Sequence, residues 1–169
     1  GLDGNFAPWA GALVDVQKPL VLIATDETQG KEARTRLARV GIENVVGMVD
    51  DSLAAWQAAG HGLRALPQVE VSALRDKLDA GWKDVQVLDV RKRGEYTGGH
   101  VAGAVHHVLD DLRKNLPALD PKRPTVVICG SGYRSSAAAG FLEQAGYSEL
   151  YNVVGGTAAW RNAGFPCES

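Results

Sequence analysis

Two stretches of this chain repeat one another, and the repeat limits the folds open to it. Lys18-Pro19-Leu20-Val21-Leu22-Ile23-Ala24-Thr25-Asp26 parallels Arg123-Pro124-Thr125-Val126-Val127-Ile128-Cys129-Gly130-Ser131. Each continues into a helix-like run and a glycine, Ala33 to Gly41 and Ala138 to Gly146, then a short β-rich run, Asn44-Val45-Val46 and Glu149-Leu150-Tyr151. Each closes on a matching phrase, Ala54-Ala55-Trp56-Gln57-Ala58-Ala59-Gly60 and Ala158-Ala159-Trp160-Arg161-Asn162-Ala163-Gly164. Two copies are too few for a solenoid, so the pattern predicts duplicated domains.

The second copy has its own upstream half. Val69-Glu70-Val71 reads as a short strand, and Ser72 as the N-cap of a helix from Ala73 to about Ala80, stopped by Gly81. Val85 to Val90 is apolar enough for a central parallel strand. Arg91 to Tyr96 reads as a helical turn closed by Gly98-Gly99, and Ala104 to Val108 as a strand. Leu109, Leu112 and Leu116 fall on one helix face. Strands Thr125 to Ile128 and Leu150 to Val153 flank a helix from Ser135 to Ala145. This alternation predicts an α/β fold, a parallel sheet with helices on both faces. Only Gly1 to Asp15 precedes the first copy's strand, so that copy is read as a partial unit whose opening strand is missing. The expected division is a partial unit over 1–62, a linker over 63–68 and a complete domain over 69–169.

Chemistry concentrates in one loop, Cys129-Gly130-Ser131-Gly132-Tyr133-Arg134-Ser135. A cysteine at a strand's C-terminal edge, followed by a glycine-rich turn into a helix, sits where backbone N–H groups converge. That nest and the positive helix end favour a thiolate. Cys129 is the expected nucleophile, and Gly130, Ser131, Gly132, Tyr133, Arg134 and Ser135 the expected cradle for an anionic substrate, with Arg134 adding charge. Tyr133 walls the pocket or touches an organic substrate. The first copy has Ala24 in place of the cysteine, and its turn carries Asp26 and Glu27, which repel anions. It is expected to be inactive, a packing or interface module.

Other candidates have quieter roles. Asp89 and Arg91 end the central strand and are expected to support the loop, by pairing with its backbone or with Glu95. His100, His106 and His107 lack metal-ligand spacing, and neighbouring histidines on a strand face opposite ways, so no metal or other cofactor is expected. Trp56 and Trp160 hold equivalent places, which points to core or cap packing. Cys167 is read as a surface cysteine, with a resolving thiol as the alternative.

Bulk properties agree with a globular catalyst. The chain has 169 residues, a formal charge of −2 and 45% hydrophobic residues. No basic surface for nucleic acid, no membrane span of the roughly 20 apolar residues required and no secretory pattern is visible. Two cysteines make no disulfide framework, so a reducing cytoplasm is expected. The start at Gly1 rather than Met reads as a processed, tagged or truncated product.

Together, Val87-Leu88-Asp89-Val90-Arg91, Glu95-Tyr96, Gly98-Gly99-His100-Val101-Ala102-Gly103-Ala104, the Cys129 loop and Asn152-Val153-Val154-Gly155-Gly156 resemble the rhodanese-like sulfurtransferases, over about Pro67 to Pro166. The first copy then resembles the latter part of a second, inactive rhodanese-like domain. The tandem is similar to the rhodanese portion of metallo-β-lactamase-fold fusion proteins, relatives of which are persulfide dioxygenases, although no His-x-His-x-Asp-His motif is present here. The resemblance implies ping-pong sulfur transfer through a Cys129 persulfide, from thiosulfate or a persulfide such as that of glutathione to a thiol or cyanide. The implied partners are the small-molecule donor and acceptor, an upstream metallo-β-lactamase-fold domain and a second copy in a homodimer. Four residues separate Cys129 from Arg134, one fewer than in cysteine-dependent phosphatases, which suits a sulfur atom better than a phosphate. The alternatives are a non-enzymatic interaction module and a sensor that parks sulfur on Cys129.

Overall fold

A computed structural model describes residues 2, 5–50, 53–82, 84–112 and 114–169. The chain forms two compact units, Gly1–Arg64 and Ala65–Ser169.

In the first unit, α1 (Phe6–Leu13), β1 (Leu20–Ala24), α2 (Glu27–Ala38), β2 (Val45–Asp50) and α3 (Leu53–Ala58) follow in order. Strands β1 and β2 pair in parallel, with a register shift after Leu20. A small core of Leu37, Ile42 and Val45 gathers Phe6, Ala10, Val14, Leu20 and Leu22 around it. Trp56 is not a core residue. It is 48% exposed, its ring lies 4.4 Å from that of His61, and its Nε1 donates to Gly62 O at 3.3 Å.

In the second unit, β3 (Gln68–Val69), α4 (Val71–Asp79), β4 (Gln86–Asp89), α5 (Arg93–Thr97), β5 (Val105–His106), β6 (Thr125–Ile128), α6 (Tyr133–Gln144), β7 (Leu150–Val153) and α7 (Gly156–Asn162) build one sheet in the order β3-β7-β6-β4-β5. Every pairing is parallel. The central strands β4 and β6 are buried throughout, as expected of parallel strands covered on both faces. Alternation divides their side chains between the faces. Val87, Val126 and Ile128 join Leu74 of α4 and Trp160 of α7 in one core cluster. Leu88 and Val127 are turned the other way, and α6 buries Ala138, Ala139 and Leu142.

Two local expectations are corrected. The strand at 69–71 ends at Val69 and α4 already starts at Val71, so Glu70 rather than Ser72 holds the N-cap place. Glu70 O accepts from Leu74 N at 2.9 Å, closing the first turn two residues earlier than expected. Among the described residues of the leucine-spaced run, a 3-10 turn, Leu109–Asp111, stands in place of the expected helix face. Leu109 and Leu112 are buried, whereas Leu116 is 48% exposed. Pro117 follows Leu116, and the residue before a proline is driven out of the helical region.

The sheet delivers the Cys129 loop to its C-terminal edge, and α7 fixes how the loop lies. Cys129 O accepts from Thr157 N at 2.7 Å and Gly130 O from Ala158 N at 3.0 Å. The first amides of α7 are thus satisfied by loop carbonyls rather than by a side-chain cap. That contact needs Gly156, which has φ +56° and would place a Cβ 2.1 Å from Cys129 O. Gly156→Ala is expected to cost about 2 kcal/mol or more of stability, read as a lowered Tm by differential scanning calorimetry.

Candidate active site

Cys129 follows β6 and is fully buried. Its carbonyl and that of Gly130 turn back to α7. Gly132 N donates to Cys129 Sγ at 3.2 Å, made possible by a left-handed Gly132 with φ +96° at the N-cap of α6. Ser135, one turn into α6, places its hydroxyl 3.3 Å from the same sulfur. The hydroxyl also donates to Asn152 Oδ1 at 2.6 Å, while Asn152 Nδ2 donates to Gln68 Oε1 at 2.8 Å. Ser135 has a single hydrogen for two acceptors.

Arg134 carries charge to the loop but does not stand alone. Its Nη1 and Nη2 donate to the two carboxylate oxygens of Glu95, both at 2.7 Å. The hydrogen bond from Arg134 holds Glu95 below the ordinary carboxylate range, against the opposing effect of burial. The hydrogen bond to Glu95 raises Arg134, with a smaller contribution from Cys129. Glu95 Oε2 also accepts from Lys92 N at 3.2 Å, which closes the start of α5.

Asp89 and Arg91 pair with each other. This corrects the expectation that they bond the loop or Glu95. Arg91 Nε donates to both Asp89 oxygens at 2.9 Å and its Nη2 to Asp89 Oδ2 at 2.6 Å. Two residues apart at a strand end, the side chains fall on one side, and both are buried. Arg91 spends its remaining reach on Gly99 O at 2.9 Å, so the pair holds the turn after α5. Beside the loop lies a cleft of about 280 Å³ lined by Arg91, Glu95, Gly98, Gly130 and Arg161 among others. Tyr133 is 45% exposed and does not line that cleft. Ser131 is exposed.

The histidines do structural work. His100 Nδ1 donates to Tyr96 O at 3.1 Å and stacks on the Tyr96 ring at 3.7 Å. His106 Nε2 donates to Arg91 O at 2.8 Å. Among the described residues no group of three or more His, Cys, Asp or Glu is placed to hold a metal ion. Cys167 is exposed. No helix among the described residues is long and apolar enough to cross a membrane.

Sequence reasoning missed Glu95 as the partner of Arg134, and Asn152 and Gln68 behind Ser135. Asn152 left one signal, a polar residue inside the apolar strand Leu150-Tyr151-Asn152-Val153, where burial demands a partner.

In the first unit the turn after β1 is closed by its own side chains. Ala24 ends β1, and Asp26 caps α2 by accepting from Gln29 N at 2.8 Å. Gln29 Oε1 accepts from Thr25 N at 3.1 Å. Side chains of this turn thus occupy the amides of Thr25 and Gln29, whereas in the second unit the Gly132 amide donates to sulfur.

The sequence profile of the family described as Rhodanese-like domain matches residues 70–163. A thiosulfate sulfurtransferase of Shewanella oneidensis, GlpE, is 35% identical over 81 residues, 48% of this chain and 80% of that protein. YrkF of Bacillus subtilis is 32% identical over 96 residues, 57% of this chain; the chain spans 51% of that relative's length. Among solved structures, the rhodanese-like domain of an Anabaena protein is 30% identical with a TM-score of 0.57, covering 62% of this chain and 80% of that one.

Two outcomes are expected from this geometry. Ser135→Ala should slow alkylation of Cys129 by iodoacetamide about tenfold at neutral pH, the value of one hydrogen bond to a charged atom, followed by mass spectrometry. Because Glu95 is depressed in the folded protein, the stability its pair with Arg134 supplies is present above the ordinary value of 4.5 and is lost as pH falls through the lower folded value. The stability gap between wild type and Glu95→Gln should therefore close below pH 4.5, measured by urea denaturation across pH.

Proposed function

Because this chain belongs to the rhodanese-like domain family, we propose that it is a sulfurtransferase that carries sulfane sulfur on Cys129. The observation that carries this reading is the convergence on one buried sulfur of the Gly132 amide at 3.2 Å and the Ser135 hydroxyl at 3.3 Å. Donors fixed in advance around a sulfur stabilise it as a thiolate nucleophile and, after reaction, as a persulfide whose outer sulfur is anionic.

In the first half-reaction the Cys129 thiolate attacks the outer sulfur of thiosulfate. A Cys129 S–S bond forms, the donor's S–S bond breaks, and sulfite leaves with the electron pair. With a protonated organic persulfide the leaving group is the parent thiolate and the proton stays on the transferred sulfur. In the second half-reaction an acceptor thiolate or cyanide attacks that outer sulfur and Cys129 departs as thiolate. No net oxidant or reductant is consumed. Burial of Cys129 keeps water and bulky oxidants from the persulfide.

The sulfurtransferase named for Shewanella oneidensis lends thiosulfate as one donor to this reading. We extend the proposal to 1–62, taken as a partial, inactive copy, since Ala24 supplies no nucleophile and Asp26 and Gln29 consume the turn's amides. The linker at 63–68, the catalytic domain at 69–169, an upstream metallo-β-lactamase-fold domain, a homodimer and a cytoplasmic location belong to the same proposal and rest on the sequence.

The test is direct. Incubated with thiosulfate or an organic persulfide and freed of excess donor, wild type should gain the mass of one sulfur atom and return it to cyanide as thiocyanate. Cys129→Ala should do neither. Equal thiocyanate yields from the two proteins would overturn the reading.

A further inference from the structure

The Glu95–Arg134 pair sits over the reacting edge of the loop. A Cβ built on Gly130 would lie 3.0 Å from Arg134 Nη2 and 3.9 Å from Glu95 Oε1, so the pair rests on the residue next to Cys129. Glu95 and Gly130 both line the cleft beside the loop. The Arg134 side chain is 16% exposed and that of Glu95 40%, so the carboxylate is the member facing solvent. The loop's guanidinium is therefore met by an incoming donor already neutralised, with a negative charge on its outer side. The two arginines that line the cleft are also engaged: Arg91 pairs with Asp89, and Arg161 gives its Nη2 to Gly98 O at 2.9 Å and Gly99 O at 2.8 Å.

Resting on the sulfurtransferase reading, we infer that Glu95 is a charge filter. It sets the site against dianionic inorganic donors and in favour of sulfane sulfur carried on an organic thiol. Thiosulfate brings two negative charges into the cleft and must either displace the carboxylate from both Arg134 nitrogens or bind beside it. An organic persulfide brings one charge at most to its reacting end and none when protonated, so it reaches Cys129 with the pair closed. Coulomb repulsion between like charges at contact distance is partly screened at this half-exposed position, which makes the filter a bias rather than a block.

Glu95→Gln isolates the charge, because glutamine keeps the shape and can still accept from Lys92 N. With thiosulfate and cysteine persulfide as the two donors and cyanide as acceptor, the ratio of kcat/KM for thiosulfate to that for the persulfide should rise about threefold or more in Glu95→Gln, the scale of one exposed charge interaction. The gain should enter through a lower KM for thiosulfate rather than through kcat. Glu95→Ala, which also gives up the α5 cap, should move the ratio in the same direction. A ratio that stays level or falls in the folded variants overturns the filter and leaves the sulfurtransferase reading standing. Wild type that transfers sulfur from neither donor overturns both.

Discussion

The two hydrogen bonds from the start of α7 to the carbonyls of Cys129 and Gly130, at 2.7 and 3.0 Å, decide what this loop can do. In a planar trans peptide the N–H points opposite to the C=O, so tying the Cys129 and Gly130 oxygens to α7 turns the N–H groups of Gly130 and Ser131 away from that helix. The next amide, of Gly132, donates to the sulfur. The glycine pair Gly155-Gly156, with φ of +68° and +56°, lets the helix start close enough to make those bonds. The loop around Cys129 is thus shaped by α7 as well as by its own residues.

In the first unit the turn after β1 is held by its own side chains, with Asp26 extended at the N-cap where α6 has a left-handed glycine, and the contrast shows strand–turn–helix to be a scaffold and not a function. Asp26 and Gln29 satisfy the amides of their own turn. The second unit leaves the corresponding groups for sulfur and puts the burden of order on Ser135, Asn152 and Gln68, which reach the loop from a helix and two strands. A buried polar chain of this kind holds one rotamer of the Ser135 hydroxyl and gives it two places to put its hydrogen.

Much of the fold was legible in the sequence. Strands 125–128 and 150–153 are apolar runs bounded by proline, glycine or a polar turn, and the structure has them over the same residues. The glycine-rich opening of α6 was legible as well, because glycine marks where a chain must bend tightly. What was not legible is pairing across space. Glu95 and Arg134 are 39 positions apart and meet because β4 and β6 are neighbours in the sheet; no spacing in the sequence encodes that adjacency. Asp89 and Arg91 illustrate the reverse case, since two residues at the end of one strand were close enough to satisfy each other. The leucine run at 109–116 shows periodicity without a helix, since the 3-10 turn ends at Asp111 and Pro117 bars helical backbone at Leu116.

The end of the chain is laced into the wall of the cleft. His100 N donates to Glu168 O at 2.8 Å and Glu168 N to His100 O at 2.9 Å, and Trp160 Nε1 donates to Pro166 O at 2.9 Å. His100 adjoins Gly99, whose carbonyl takes both Arg91 and Arg161. Those two amide bonds hold residues 165–168 and the turn behind Glu95 as one piece. Loosening that pairing would free the Gly98 wall of the cleft.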